Sequence, residues 1–472
     1  YLLNPEATHR LEDLAREHLQ RELPLPPSGR KAEPETPDAA AGRATARARA
    51  VRDLAPVLRE RLKATGLDKV MEEIELPLVP ILAAMERSGI GLDKPTLAKI
   101  SQELGTRLGS LEGAIHAEAG HPFGIASPKQ LAQVLFEELK LPHGRKGKTG
   151  YSTDAEVLED LAGVHPLPAL VLEYRQLDKL KNTYVDALPG LVGPDGRLHT
   201  SFNQAVAATG RLSSSRPNLQ NIPIRTEAGR RIRDAFRPHG PGELLLTADY
   251  SQIELRILAH CSEDPVLHAA FAEGQDIHAV TAAQIHGVPV AEVTDAQRGF
   301  AKAVNFGVIY GQGAYTLARS LGRPQKEAQA FIDAYFAHFA GVKAFIDRTV
   351  AEARVHGKVT TLSGRIRPIP FLASPNPAQR AAAERIAVNT VIQGSAADLI
   401  KLAMIRVSEA LEESGSGARI LLQIHDELVL NVPKRDLEGV RETVVACMTG
   451  AMRLSVPLTV NTASGETWRE AA

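Results

Sequence analysis

The stretch GELLLTADYSQIELRILAH, residues 242–260, passes from an apolar strand pattern into a helical one with no loop between them. Leu244 to Leu246 form a short apolar run of strand length, and Asp249 closes it. Ser251 and Glu254 stand three apart at the expected helix start, the spacing of a capping box. By itself the pattern reads as readily as a capped helix as it does as a carboxylate placed to hold a hard cation.

Two further stretches carry chemistry. In ARILLQIHDELVLNVP, residues 418–433, two apolar strands meet at His425 and Asp426, the pattern of a hairpin, with Glu427 following. Turn aspartates are common. One acidic residue at each of two buried strand ends nevertheless suits a two-metal arrangement, because Mg2+ takes carboxylate oxygens and shares its other positions with phosphates and water. In QRGFAKAVNFGVIYGQG, residues 297–313, Arg298, Lys302, Phe306 and Tyr310 recur every fourth residue and form one helical stripe. Two cations followed by two aromatics span about 18 Å at 1.5 Å per residue, enough for a triphosphate at one end and a base at the other. The plainer alternative is an amphipathic helix with core aromatics and solvated cations.

Composition bounds these readings. With 472 residues, 44% of them hydrophobic, the chain can bury a large core and divide into several subdomains. No apolar run approaches the roughly 18 residues of a membrane span, and no leader pattern is present, so a cytoplasmic protein without a membrane partner is expected. The first residue is Tyr1, consistent with trimming from a longer chain. Two cysteines, Cys261 and Cys447, exclude a disulfide framework and a four-cysteine zinc site. The net charge of -1 means that any nucleic-acid surface must come from local segregation of charge.

Along the chain, residues 1–23 have helical spacing, and the proline-rich stretch from Pro24 to Pro37 reads as a linker. A helical pattern resumes at Gly42, and a domain boundary is expected near Gly66. Long helical patterns from Ser127 to Pro189 are broken by LPHGRKGKTGYST, where Arg145, Lys146 and Lys148 lie among glycines, as in a solvated loop or a phosphate-contacting helix-hairpin tip. Residues 197–260 mix short strands and loops, and residues 262–410 read as almost wholly helical.

The three stretches, in this order, resemble the polymerase motifs of the family A DNA polymerases. DYSQIELRILAH (249–260), RGFAKAVNFGVIYG (298–311) and QIHDEL (423–428) are accompanied by TGRLSSSRPNLQNIP (209–223) and ERIAVNTVIQGSAADLIK (384–401), and the similarity runs from about Gly66 to the C-terminus. The resemblance implies an α+β right-hand polymerase: a palm with an antiparallel sheet (about 191–260 and 376–472), a helical thumb (about 90–190) and helical fingers (about 261–375). Residues 1–65 would be a remnant of a 3′→5′ exonuclease-like domain.

The same resemblance assigns Asp249 and Asp426, with the backbone carbonyl of Tyr250, as ligands of two Mg2+ ions, Mn2+ being a possible substitute. Glu427 is implied as an accessory acidic residue. Arg298, Lys302 and His278 would contact the phosphates of the incoming dNTP, with Lys302 also the proton donor to pyrophosphate. Gln252 joins the nucleotide site, Phe306 would lie against the sugar, Tyr310 would stack where the templating base arrives, and Glu254 would exclude a ribose 2′-hydroxyl. Arg211, Asn389 and Gln393 would reach the primer–template DNA in its minor groove, where acceptors common to every correct base pair allow geometry to be checked, and Arg385 would also bind the DNA. Asn218, Gln220, Asn221 and His425 would contact the duplex, and Lys129, Lys146, Lys148, Arg211 and Arg231 would supply a positive track. The implied protein is a monomer acting on DNA in repair and primer replacement.

Departures from the family pattern are local. Residues 1–65 hold neither the D-x-E pair nor the Tyr-x-x-x-Asp pair of proofreading relatives, so no proofreading is expected, and a 5′-nuclease domain is absent from this chain. Gly299, Phe300 and Arg216 replace residues commoner in relatives. Gly299 within a helix should cost about 1 kcal/mol against Ala. A catalytically dead polymerase fold used as a scaffold is opposed by the intact Asp249, Asp426, Arg298 and Lys302, and a single-subunit RNA polymerase by Glu254. Family members with Phe at position 306 tend to reject dideoxynucleotides, so primer extension with competing dideoxy- and deoxynucleotides should terminate rarely. Equal use of the two sugars would remove Phe306 from the sugar pocket.

Overall fold

Leu245 to Ala248 and Leu428 to Val432 are buried without a break, which is why these segments read as continuous apolar runs. They are neighbouring strands of an antiparallel sheet in the computed structural model, which describes residues 1–27, 35–143, 150–223 and 226–472. The sheet comprises β1 (Glu243–Tyr250), β2 (Arg419–Ile424), β3 (Glu427–Pro433) and β4 (Val460–Gly465), in the spatial order β4-β1-β3-β2. β1 extends one residue past Asp249 to Tyr250. Asp249 lies directly opposite Glu427 in the β1–β3 pairing, and a bulge between Val429 and Leu430 adjusts the β3–β2 register.

Helices surround this sheet: α1 (Leu11–Leu19), α2 (Pro37–Thr65), α3 (Lys94–Ala119), α4 (Pro166–Leu180), α5 (Ile253–Ser262), α6 (Ile277–His286), α7 (Asp295–Ile309), α8 (Gln325–His338), α9 (Pro377–Ser414) and α10 (Leu437–Thr449). α9 and α10 pack on the sheet and join its main core. α3 and α4 pack on one another, with a separate apolar core around Ile115, Leu135 and Leu161 at one end. α6, α7 and α8 form a further helical layer.

Two local expectations are corrected. α2 begins at Pro37 and not at Gly42, because Thr36 caps it and proline is tolerated at the first helical position. The capping box expected of Ser251 and Glu254 does not form. Gln252 takes the cap position in a left-handed conformation without a side-chain cap bond, and Glu254 turns into the protein instead. A capping box is found at Thr294 and Gln297, where it starts α7.

At the N-terminal end, α1 and α2 pack through Ala15, Leu23 and Ala50, and Arg47 pairs with Glu12. Farther on, a buried ionic network ties three distant segments together. Glu75 Oε1 accepts from Arg365 and from Lys401 Nζ at 2.8 Å, and its Oε2 accepts from Gln204 at 2.8 Å. Asp398 accepts from Arg365 Nε at 2.8 Å and from Thr361 Oγ1 at 2.7 Å. Burial alone would raise the Glu75 pKa, but the Lys401 and Arg365 charges overcome it and hold it low. Removing one partner strands a buried charge, so Glu75→Ala should lower stability in chemical denaturation by about 3–5 kcal/mol. Glu6→Ala, which loses only a surface partner of Arg367, should cost under about 1 kcal/mol.

Candidate active site

Asp249 reaches the site from the end of β1, and Asp426 from the turn that joins β2 to β3. His425 adopts φ +54° in that tight turn, and the backbone N–H of Tyr250 donates to the Asp426 carbonyl at 3.2 Å, which binds the two strand ends together. Burial, then the Glu427 and Asp426 charges, push the Asp249 carboxyl up to about 7. Burial likewise raises Asp426 and Glu427. Among the described residues, neither Asp249 nor Asp426 has an ion-pair partner. Hard carboxylate oxygens gathered without a protein cation fit a divalent metal that completes its shell with water or substrate oxygens. Asp249 and Asp426 are the residues that could hold it.

Glu254 is buried on α5, where Arg211 bonds its Oε1 at 2.5 Å and the Tyr310 hydroxyl donates to its Oε2 at 3.1 Å. The Asp426 charge is felt by both Glu254 and Tyr310, so these groups border the carboxylate pair. Burial and then Glu254 push Tyr310 up to about 12. Phe306 and Tyr310 lie nearly parallel on α7, their rings 6.3 Å apart, and His278 tilts against Phe306 at 5.8 Å. Nearer the start of α7, Arg298 Nε meets Asp276 at 2.5 Å. Asp276 also caps α6 and thereby sets the position of His278. Lys302 occupies the next turn of the same stripe.

A second group lies beside the hairpin. Asn218, Gln220, Asn221 and His425 line one cavity of about 700 Å³ together with Lys179 and Tyr184. Gln220 Nε2 donates to the Gln423 carbonyl at 3.1 Å, which anchors the loop to β2. Arg385, Asn389 and Gln393 are spaced by one helical turn each along α9, and Asn389 Oδ1 is buried without a partner among the described residues. Arg385 packs against Gly311, whose φ of +62° and closeness to that side chain leave no room for a Cβ.

Over residues 94–470 the chain matches the model of DNA polymerase family A. The chain belongs to that family. It is 49% identical to DNA polymerase I of Bacillus subtilis over 426 residues, 90% of this chain and 48% of that protein. Against the thermostable DNA polymerase I of Thermus filiformis it is 48% identical over 474 residues, 100% of this chain and 54% of that protein. The chain therefore spans about half the length of the curated relatives it matches. Among solved structures, the POL domain of Pol1 from M. smegmatis in complex with DNA primer-template and dNTP superposes with a TM-score of 0.93 at 43% identity, covering 100% of this chain and 81% of that one. The expected right-hand polymerase architecture is the fold of this chain.

Within this family member, the structure brings Asp249, Asp426, Glu427, Glu254, Arg211 and Tyr310 into one region and sets Arg298, Lys302, Phe306 and His278 along the adjoining helices. Gln252 makes no cap bond. Arg231 pairs with Glu103 at 2.6 Å, so its charge is already met, whereas Lys129 is exposed. Arg145, Lys146 and Lys148 lie outside the described residues. Gly299 is exposed, and Phe300 packs edge-on against Phe331 at 4.4 Å, fastening α7 to α8.

Asp276, Asn305, Arg233 and Trp468 were not picked out from the sequence. Asp276 had a signal in its cap position before α6, and Trp468 in being the only tryptophan. Asn305 and Arg233 had none, because their partners are distant in sequence or on another helix. The Asn305 side-chain amide lies within hydrogen-bond distance of His278 Nδ1, at 2.9 Å. Burial, with Lys302 and Arg298 adding to it, lowers the His278 pKa to about 4. The folded state therefore favours the neutral ring, and its contribution to stability is lost as pH falls from the unfolded value of 6.5 towards 4. An NMR titration of the His278 ring should show a midpoint near 4 and a neutral ring at pH 7.

Proposed function

We propose that this chain is a DNA-templated DNA polymerase that adds deoxynucleoside triphosphates to a primer 3′-hydroxyl. The observation that carries the reading is the pair of buried carboxylates at adjoining strand ends, Asp249 and Asp426, without a protein counter-ion among the described residues and bordered by the α7 stripe. The relatives named DNA polymerase I, and the M. smegmatis domain bound to DNA primer-template and dNTP, support the same activity and the same partners.

Asp249 and Asp426, with the Tyr250 carbonyl, would hold two Mg2+ ions, for which Mn2+ could substitute. When bound, these supply Lewis acidity at the primer 3′-hydroxyl and at the departing pyrophosphate. Arg298 exchanges Asp276 for a phosphate of the incoming nucleotide. Lys302 protonates the leaving pyrophosphate, and His278 donates from its neutral ring. Phe306 lies under the sugar while Glu254, locked by Arg211 and Tyr310, blocks a 2′-hydroxyl. Tyr310 stacks where the templating base arrives. Gln252 borders the nucleotide, and Glu427 acts as an accessory carboxylate.

Arg211, Asn389 and Gln393 read the minor-groove edge of the new base pair, where Asn389 Oδ1, unpartnered among the described residues, is available, and Arg385 also binds the DNA. Asn218, Gln220, Asn221 and His425 meet the duplex at the cavity beside the hairpin. Residues 1–65 form a degenerate exonuclease-like remnant, so proofreading is not expected. The remainder divides into a thumb (about 90–190), a palm (about 191–260 and 376–472) and fingers (about 261–375). A monomeric, cytoplasmic role in repair and primer replacement fits this reading, and no helix among the described residues is long and apolar enough to cross a membrane.

Extension of a labelled DNA primer with Mg2+ and four deoxynucleotides tests the proposal. The parent should extend in a template-directed way and Asp426→Asn should not, although both bind primer–template. No extension by either protein, with DNA still bound, would favour a scaffold role.

A further inference from the structure

Three carboxylates crowd the ends of β1 and β3. Asp249 and Glu427 are direct cross-strand partners, and Asp426 precedes Glu427. Side chains so paired share a face of the sheet with Cβ atoms about 4.5–5.5 Å apart. Yet among the described residues no three Asp, Glu, His or Cys side chains converge closely enough to hold one ion.

Glu427 is held by a group from the C-terminal segment. Trp468 Nε1 donates to Glu427 Oε1 at 3.1 Å. The indole is fully buried, edge-on to Phe236 at 5.3 Å, and the Arg233 guanidinium lies 3.9 Å from its ring centroid. Arg233 is itself buried, makes no ion pair among the described residues, and feels the Glu427 charge across the indole. The segment carrying Trp468 is held from several sides. Its backbone N–H donates to the Phe236 carbonyl at 3.1 Å, Arg469 pairs with Asp234 and Glu227, and the Thr247 hydroxyl of β1 donates to the Ala471 carbonyl. The indole N–H therefore has one fixed aim.

We propose that Trp468 is a positioning residue that keeps Glu427 out of the coordination sphere of the metal pair. The inference rests on the reading of Asp249 and Asp426 as the metal-holding residues. With two carboxylates committed, a hard cation keeps positions open for triphosphate and hydroxyl oxygens. A third carboxylate would bind the ion more tightly and close those positions. Trp468 thus sets the openness of the site from the far end of the chain.

Mn2+ binding to the nucleotide-free protein, followed by loss of the free-ion electron paramagnetic resonance signal, tests this without recourse to activity. Trp468→Phe keeps a ring beside Arg233 but deletes the N–H. It should bind Mn2+ more tightly by roughly tenfold, the scale on which outer-shell partners act on metal affinity. Adding Glu427→Gln to that variant should return the affinity to the parent value, which a merely structural role for Trp468 would not do. Unchanged or weaker binding in a folded Trp468→Phe overturns the inference. Should that variant fail to fold, Glu427→Gln alone decides: affinity within about twofold of the parent supports the inference, and weakening of about tenfold or more makes Glu427 a ligand and overturns it. Asp249→Asn separates the two levels, because Mn2+ binding that survives it overturns the metal-site reading as well.

Discussion

The pairing of β1 with β3 runs from Glu243 opposite Pro433 to Asp249 opposite Glu427, and the site depends on that register. Side chains alternate across a strand, so a slip of one residue would turn Asp249 to the other face and leave Asp426 without its neighbour. Burial of both faces makes such a slip costly, because Leu245, Leu246, Leu428 and Leu430 would all lose their places in the core. β4 adds a second restraint on the other side of β1, where Asn461 pairs with Asp249. The carboxylate pair is as well placed as the most buried part of the sheet.

Burying these carboxylates, and then gathering like charges beside one another, has an electrostatic cost, visible in the raised Asp249 pKa. The Arg211 charge near Asp426 and the Arg233 charge near Glu427 relieve it only in part, because burial still holds both carboxyls high. Arg211 is committed to Glu254, Arg298 to Asp276, and Arg233 to the Trp468 ring. These cations are thus held by partners of their own close to the carboxylate pair. Asp276 shows the economy of the arrangement, since one carboxylate caps α6, sets His278 and holds Arg298.

Much of this was legible in the sequence because strand ends and helix stripes are local patterns. Leu244 to Asp249, the hairpin around His425, and the four-residue spacing from Arg298 to Tyr310 all have the elements expected of them. The failures were at positions where two local readings shared one pattern. Ser251 and Glu254 have the spacing of a cap, but Arg211, 43 residues away, and Tyr310, 56 residues away, make Glu254 more stable inside the protein than at the helix end. The start of α2 was set too late because proline was read as a breaker, although at the first turn of a helix it lacks only a hydrogen that would have no partner.

By itself, then, the sequence determined the strand and helix carrying each candidate ligand, which rest on periodicity, while contiguous motifs resembling those of family A DNA polymerases implied the family and the right-hand fold. Only the tertiary structure decided which charges meet. Glu75 with Arg365 and Lys401, Asn305 with His278, and Trp468 with Glu427 join residues from different elements. No local pattern encodes such pairs, since a buried polar group takes whichever partner the packing of distant segments brings within hydrogen-bond reach.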